Sequence, residues 1–273
     1  MINVAVTGAT GKMGSSIIKK VVEQENMNLV AAIERPNTPF EGKDVGETIG
    51  VGNIGIKIQG SEKLENVLKD SKTNVLVDFT IANAATDTIK KSAKLGVNLI
   101  VGTTGFSNKQ LKEINDTINA NKVKAVISSN MSIGVNVFFK TLKDITPLLS
   151  NFDIEIVEAH HNKKKDSPSG TAMTAFKIIA KELDKNTEET AIFGRQGIIG
   201  ERRKNEIGIH AIRGGDIVGT HNVIFAGEGE HIEIKHVAHS RDVFIAGVIK
   251  SLNFIENGTP GNVHSMEDVL GIN

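Results

Sequence analysis

Apolar positions in the first half of the chain follow two alternating rhythms. Short dense runs, INVAVTG (residues 2–8), NLVAAIE (28–34), NVLVDFT (74–80), VNLIVGTTG (97–105) and KVKAVISSN (122–130), are rich in Val, Ile and Ala and predict strands buried on both faces. Between them, KMGSSIIKKVVEQE (12–25), SEKLENVLKD (61–70), ANAATDTIKKSAKLG (82–96) and SNKQLKEINDTINAN (107–121) carry helical spacing, with Ser61 a candidate N-cap. Strands alternating with helices predict an α/β fold, a parallel sheet covered by helices on both faces.

The rhythm changes near residue 130. A helical segment, GVNVFFKTLKDITPLLS (134–150), leads into FDIEIVEAHH (152–161), which alternates strictly and predicts a strand. Further strand-like runs, EIGIHAIR (206–213), IVGTHNVIFA (217–226) and EHIEIKHVAH (230–239), are separated by the glycine turns RGGD and GEGE. Strands in close succession predict an open, mostly antiparallel sheet. Helical spacing returns at RDVFIAGVIKSLNFIEN (241–257), so boundaries fall near 130 and 240.

Composition narrows the function classes. Lys+Arg and Asp+Glu both total 32, so the formal net charge is +0. A protein built to coat nucleic acid normally carries a basic excess, and anion binding here must be local. Trp and Tyr are absent, so stacking platforms for single strands are scarce. The absence of cysteine removes disulfides, thiolate nucleophiles and Cys-ligated metal. No apolar stretch approaches the roughly 20 residues of a membrane span. The N-terminus lacks a signal-peptide pattern, and a cytoplasmic protein is expected.

Gly8, Gly11 and Gly14 form G-x-x-G-x-x-G between the first strand and the first helix. Such glycines permit a tight turn and a close approach of backbone amides to a pyrophosphate at a helix N-terminus. Alone the motif equally describes a tight strand–helix turn. Glu34 ends the second strand 20 residues after Gly14, where a ribose-binding carboxylate belongs. Together they point to a dinucleotide. Arg35 beside Glu34 suits a 2′-phosphate, so NADH or NADPH is expected, and Lys12 can also reach a phosphate. The strand tips Asp78-Phe79-Thr80, Gly102-Thr103-Thr104-Gly105 and Ser128-Ser129-Asn130-Met131 fall where a ligand lies in such sheets, although each alone reads as ordinary turn chemistry.

The densest chemistry is EAHHNKKKDSPSGTA (158–172). Adjacent His160 and His161 point to opposite faces of a strand, so at most one faces a given site. The lysine run then meets a helix start that Ser169 or Thr171 can cap, where open N–H groups suit a carboxylate or phosphate. A lysine run is more often a solvated loop. Adjacent histidines rarely share a metal, and no third ligand appears at usual spacing, so no metal is expected.

The motifs VTGATGKMG, DFT, VGTTG, SSNMSIGVN, EAHHNKKKDSPSGTA and IHAIRGGDIVGTH, in that order over the whole chain, resemble the dihydrodipicolinate reductase family. The resemblance implies a Rossmann-type dinucleotide-binding domain over residues 1–130 plus 240–273. It implies an inserted α+β domain over 131–239, built on an open mixed sheet, that binds substrate and forms a homotetramer. It implies NADH- or NADPH-dependent reduction of a small dicarboxylate, 4-hydroxy-tetrahydrodipicolinate, in diaminopimelate and lysine biosynthesis, with neither nucleic acid nor membrane as partner. By position, His160 and Lys164 match the family's catalytic residues, and His161, Ser169, Gly170 and Thr171 its substrate-binding residues. Gly8, Lys12, Met13, Glu34, Arg35, Gly102, Thr104, Ser128 and Met131 match its cofactor positions. Met131 stands where many members carry Phe. Lys164 is the expected proton donor, since cationic neighbours and partial burial lower a lysine pKa. A semialdehyde-type dehydrogenase would need a cysteine nucleophile, and a nucleotide-sensing module would not need the 160–171 cluster.

Overall fold

A computed structural model describes residues 1–272. It divides into two compact units: Met1–Ser132 together with the described residues from Phe244 onward, and Ile133–Val243.

The first unit runs β1 (Ile2–Thr7), α1 (Lys12–Val22), β2 (Met27–Glu34), α2 (Val45–Ile49), β3 (Ile58–Gly60), α3 (Leu64–Asp70), β4 (Val75–Asp78), α4 (Ala82–Lys94), β5 (Asn98–Val101), α5 (Asn108–Asn121) and β6 (Ala125–Ile127). The second holds α6 (Ile133–Ile145), β7 (Asp153–His160), α7 (Gly170–Glu182), α8 (Thr187–Thr190), β8 (Ala191–Phe193), β9 (Ile207–Arg213), β10 (Gly219–Gly227) and β11 (Glu230–Ala238). The chain returns to the first unit through α9 (Asp242–Phe254), β12 (Val263–His264) and α10 (Met266–Leu270).

The first unit is a seven-stranded parallel sheet of order β12-β6-β5-β4-β1-β2-β3. Period-two alternation sends Val4 and Val6 to one face and Ala5 to the other. On the first face they pack with Ile17, Ile18 and Val21 of α1 and Val248 and Leu252 of α9. The opposite face packs Leu76, Leu99 and Ala5 on Leu64, Ile89, Ile114 and Ile118 of α3, α4 and α5. Burial on both faces explains why these strands read as continuous apolar runs. The chain winds one way from β1 to β2 and the other way to β4, so the topological switch point lies between β1 and β4.

The second unit is a five-stranded sheet of order β11-β10-β7-β9-β8 with α6 and α7 on one face. It is not mostly antiparallel as the short turns suggested. β10 pairs antiparallel with β7 and β11, but β7 and β8 each pair parallel with β9. The long connection through α7 returns the chain to the starting edge, as a parallel pairing requires. Ser61 is not the N-cap of α3. It opens a 3-10 turn, Ser61–Lys63, and the α-helix begins only at Leu64. Ser107 does cap α5, in a reciprocal bond with Gln110. The edge strands β3, β8 and β12 were not legible, being only three, three and two residues long.

Gly247 marks how closely α9 docks on its own unit. A Cβ there would overlap the carbonyl oxygen of Met131. Backbone cannot yield as a side-chain tip can, so Gly247→Ala should destabilise the protein by about 1–3 kcal/mol. Urea unfolding with an unchanged midpoint would refute that packing.

Candidate functional site

The glycine loop connects β1 to α1. Gly8 adopts φ +62°, and a Cβ on Gly14 would overlap the Gly8 carbonyl oxygen. The loop therefore excludes side chains where backbone must close on itself. The N-cap of α1 is Gly11, with no side-chain cap bond, so the first-turn amides are not claimed by a cap. Glu34 Oε1 accepts bonds from the Thr10 amide and hydroxyl, both at 2.8 Å, and Oε2 accepts from the Arg35 amide at 3.2 Å. The carboxyl is thus fixed at the rim of the loop with lone pairs to spare, and Arg35 lies exposed beside it. A cradle of small residues, a helix N-terminus and a fixed carboxylate fit a dinucleotide.

Other expected cofactor residues lie in the same unit. Lys12 is the exposed first residue of α1, and Met13 packs against the core behind it. Gly102 must be glycine, because a Cβ would overlap the Phe79 ring. Thr104 is exposed beyond β5, and Ser128 ties its hydroxyl to the Asn130 backbone at 2.9 Å. Met131 is a core residue with 1% exposure.

In the second unit β7 carries the chemistry. Its inward positions are Ile154, Ile156, Glu158 and His160, so the apolar alternation ends in two polar groups at the strand's C-terminus. Glu158 is completely buried. Arg213, at the end of β9, donates to both its oxygens, at 2.9 and 2.8 Å. The Ser169 amide donates to Oε1 at 2.9 Å, and His160 Nδ1 lies 2.6 Å from Oε2. Four donors from three segments thus converge on one carboxylate, the condition under which a buried charge is tolerable. The loop after β7 is held against the RGGD turn by Gly214 N to His160 O and Asn162 N to Gly215 O.

Ser169, not Thr171, is the N-cap of α7, its Oγ accepting from Ala172 N at 3.2 Å. The same Oγ lies 3.0 Å from Nε2 of buried His221 on β10. The hydroxyl is therefore engaged by two partners, and Ser169 is only 2% exposed. The groups accessible to solvent at this helix end are the exposed Gly170 and the half-buried Thr171. His161 is half-buried at the loop start, and its ring does not join the Glu158 network. Lys164 is 21% exposed with Nζ 2.8 Å from Asp166 Oδ1, whereas Lys163 and Lys165 are exposed. The structure thus brings His160, Ser169 and Glu158 into one network, with Lys164 on the same loop.

The electrostatics fix protonation. Burial pushes the Glu158 carboxyl up, but the Arg213 and His160 bonds prevail and hold it below the usual range. Burial also holds His160 below the ordinary histidine value. Glu158 opposes that shift, and the charges of Lys164 and Arg213 reinforce it. A neutral His160 must donate Nδ1–H to the carboxylate, leaving Nε2 as an acceptor. Burial, then the neighbouring His160, lowers His221 to about 4, so the imidazole that shares a hydrogen bond with the Ser169 hydroxyl is neutral. The His160 and His221 rings meet edge-to-face at 5.2 Å. Among the described residues no group of three or more His, Cys, Asp or Glu could hold a metal ion.

Sequence reasoning did not assign Arg213 or His221 to the site. Arg213 opens the RGGD turn and reads as a solvated turn residue. His221 sits at an apolar position of an alternating strand, which was the available signal: a titratable group where Val or Phe belongs.

Two family models described as dihydrodipicolinate reductase, N-terminus and C-terminus, match residues 2–131 and 134–270. The chain is 61% identical over 272 residues to a 4-hydroxy-tetrahydrodipicolinate reductase of Methanobrevibacter smithii, covering 100% of both chains. It is 55% identical over 273 residues to one of Methanothermobacter thermautotrophicus, again covering 100% of both. Among solved structures, a dipicolinate-bound dihydrodipicolinate reductase from Paenisporosarcina sp. TG-14 superposes with a TM-score of 0.78 at 26% identity, covering 97% of each chain. An amine dehydrogenase from Mycobacterium smegmatis, 14% identical with a TM-score of 0.59 over 96% of this chain and 94% of its own, shares the fold.

The lowered histidines make stability depend on pH. In the unfolded chain His221 protonates as pH falls through about 6.5, whereas in the folded protein it does so only near 4. The unfolded state then binds more protons, so stability is full above the higher value and declines as pH falls toward the lower. Between pH 7 and 5, His221 alone should remove about 2 kcal/mol. Glu158 loses its contribution only below the ordinary glutamate range, outside that window. Denaturant melts at both pH values should show a smaller loss for His221→Phe than for the parent protein. Equal losses would contradict the burial of a neutral imidazole.

Proposed function

This chain belongs to the dihydrodipicolinate reductase family, and on that premise we propose which of its residues carry the reaction. Its activity is the pyridine-nucleotide-dependent reduction of 4-hydroxy-tetrahydrodipicolinate, a step of diaminopimelate and lysine biosynthesis. The first unit is the dinucleotide-binding domain and the second the substrate domain. The observation that carries the residue assignment is the Glu158–His160 pair of 2.6 Å, with one half-buried lysine between two exposed ones on the next loop.

The substrate is a dicarboxylate, and the positive end of α7 suits a carboxylate. Gly170 and Thr171 present that end, with His161 on the adjoining loop. Ser169 acts from beneath, by capping the helix rather than by touching the ligand. The reduced nicotinamide, when bound, supplies hydride. His160 offers Nε2 as an acceptor that orients a substrate donor. Lys164, the partly buried cation, supplies the proton that the reduced product needs. Asp166 keeps its ammonium in place until then. Lys164→Ala should lower kcat by roughly 10²–10⁴-fold with cofactor affinity retained. Lys163→Ala and Lys165→Ala should each cost about tenfold or less, because their charges are screened. Similar small losses at all three positions in steady-state assays would mean that the loop is only an electrostatic patch.

Use of both NADH and NADPH is supported by the fixed Glu34 carboxyl beside an exposed Arg35. Arg35→Ala should weaken NADPH binding by about 1.5–3 kcal/mol, the scale of a charge-assisted bond, and leave NADH nearly unchanged. Titrations showing equal losses would sink dual use.

A homotetramer is supported by the sheet face opposite α6 and α7, where Ile212 and Val237 are 50% and 40% exposed. The loop residues Ile198 and Ile199 are exposed as well. Light scattering at micromolar concentration should give four times the chain mass, and Ile212→Glu should reduce it. A monomer in the parent protein would exclude this assembly.

A further inference from the structure

Asp78 ends β4 and is completely buried, yet no Lys or Arg pairs with it among the described residues. Its partners are neutral donors from three strand tips. Thr7 Oγ1, at the end of β1, donates to Oδ2 at 2.8 Å. The Thr80 amide and hydroxyl donate to Oδ1 at 2.9 and 2.8 Å, and Thr103 Oγ1, beyond β5, donates to Oδ1 at 2.8 Å. The Asp78 carbonyl also accepts from Gly102 N at 2.9 Å. An unpaired buried carboxyl normally costs stability, so a fully hydrogen-bonded one at this place calls for a reason.

Its place supplies that reason. β4 and β1 flank the switch point, where a dinucleotide lies in such sheets. Thr7 immediately precedes Gly8, the Thr80 methyl abuts the position a Gly8 Cβ would take at 3.3 Å, and Thr103 follows Gly102. One carboxyl therefore sets the spacing of three loops that must approach the same ligand. Hydrophobic packing alone does not set this spacing: the Phe79 ring lies against Gly102, but such contact is non-directional, whereas the hydrogen bonds fix each tip.

We propose that Asp78 is a positioning residue of the dinucleotide seat, holding the tips of β1, β4 and β5 at the separation that the cofactor requires. This rests on the reading that the first unit binds a dinucleotide. The role is geometric and lies remote from the 2′-phosphate, so NADH and NADPH depend on it equally. An asparagine can reproduce the bonds. Its Oδ1 accepts from Thr80 and Thr103, its Nδ2 donates to Thr7 Oγ1, and that hydroxyl turns to the Val77 carbonyl, already 3.2 Å away.

The test is calorimetric titration of the full-length protein with NADH and with NADPH. Asp78→Ala should raise both Kd values by about tenfold or more and by the same factor, as loss of several charge-assisted bonds implies. Asp78→Asn should stay within about threefold of the parent protein. If Asp78→Ala does not fold, Thr7→Val, which removes one bond at constant shape, should weaken both cofactors by about threefold or more. An unchanged Kd in a variant whose only defect is a lower Tm would reduce Asp78 to a fold-stabilising residue. An asparagine variant as poor as the alanine one would also overturn the geometric role. A parent protein that binds neither dinucleotide would sink the underlying reading instead.

Discussion

The second unit depends on one buried negative charge. Glu158 sits at an inward position of β7 where the preceding inward residues are isoleucines, and removing a carboxylate from water there is costly unless every lone pair is used. The chain meets that demand from three directions: a bidentate guanidinium from β9, an imidazole two residues on, and the first amide of a helix cap. Each partner is thereby placed. The site geometry is a by-product of satisfying a charge, which is why positions distant in sequence, 158, 169 and 213, are determined together.

Two glutamates three residues apart face opposite sides of β7 and do parallel work. Burial raises the Glu155 carboxyl, but bonds from Arg195, His210 and Arg202 overcome it and hold the group at about 2. Arg195 and Arg202 bracket the loop between β8 and β9, so Glu155 fastens that loop on the outer face as Glu158 fastens the loop after β7 on the inner one. In both cases loops that fully bury no apolar side chain of their own are ordered by directional bonds to a strand.

Sequence made much of this legible because its signals were redundant. The parallel sheet followed from five apolar runs in alternation with helical spacing. The helix start at 169–171 followed from Pro-Ser-Gly-Thr chemistry, although not the choice of Ser169 over Thr171. The Ser169 hydroxyl is also engaged by His221, whose approach from β10 no local pattern encodes. Strand direction in the second sheet was misjudged for a similar reason: turn length describes neighbours in sequence, whereas β7 pairs with β9 across an intervening helix. Arg213, Asp78 and Glu155 owe their roles to partners 25 to 71 residues away, for example Thr103 25 residues beyond Asp78 and Arg213 55 residues beyond Glu158. Spacing arguments do not reach that far.

The core of the first unit is built from both ends of the chain. Val248, Leu252, Ile255, Met266 and Val269 cover the same sheet face as Ile2, Val4 and Ile17, and β12 completes the sheet beside β6. All core residues of the second unit, by contrast, fall between Phe138 and Ile234. On the ribosome the usual order, N-terminal domain first, is therefore inverted. The inserted unit has its full complement of core residues while the first unit still shows an apolar sheet face to solvent. That face is closed only when α9 and α10 are in place, so a nascent chain stalled before α9 leaves an apolar sheet face open to solvent.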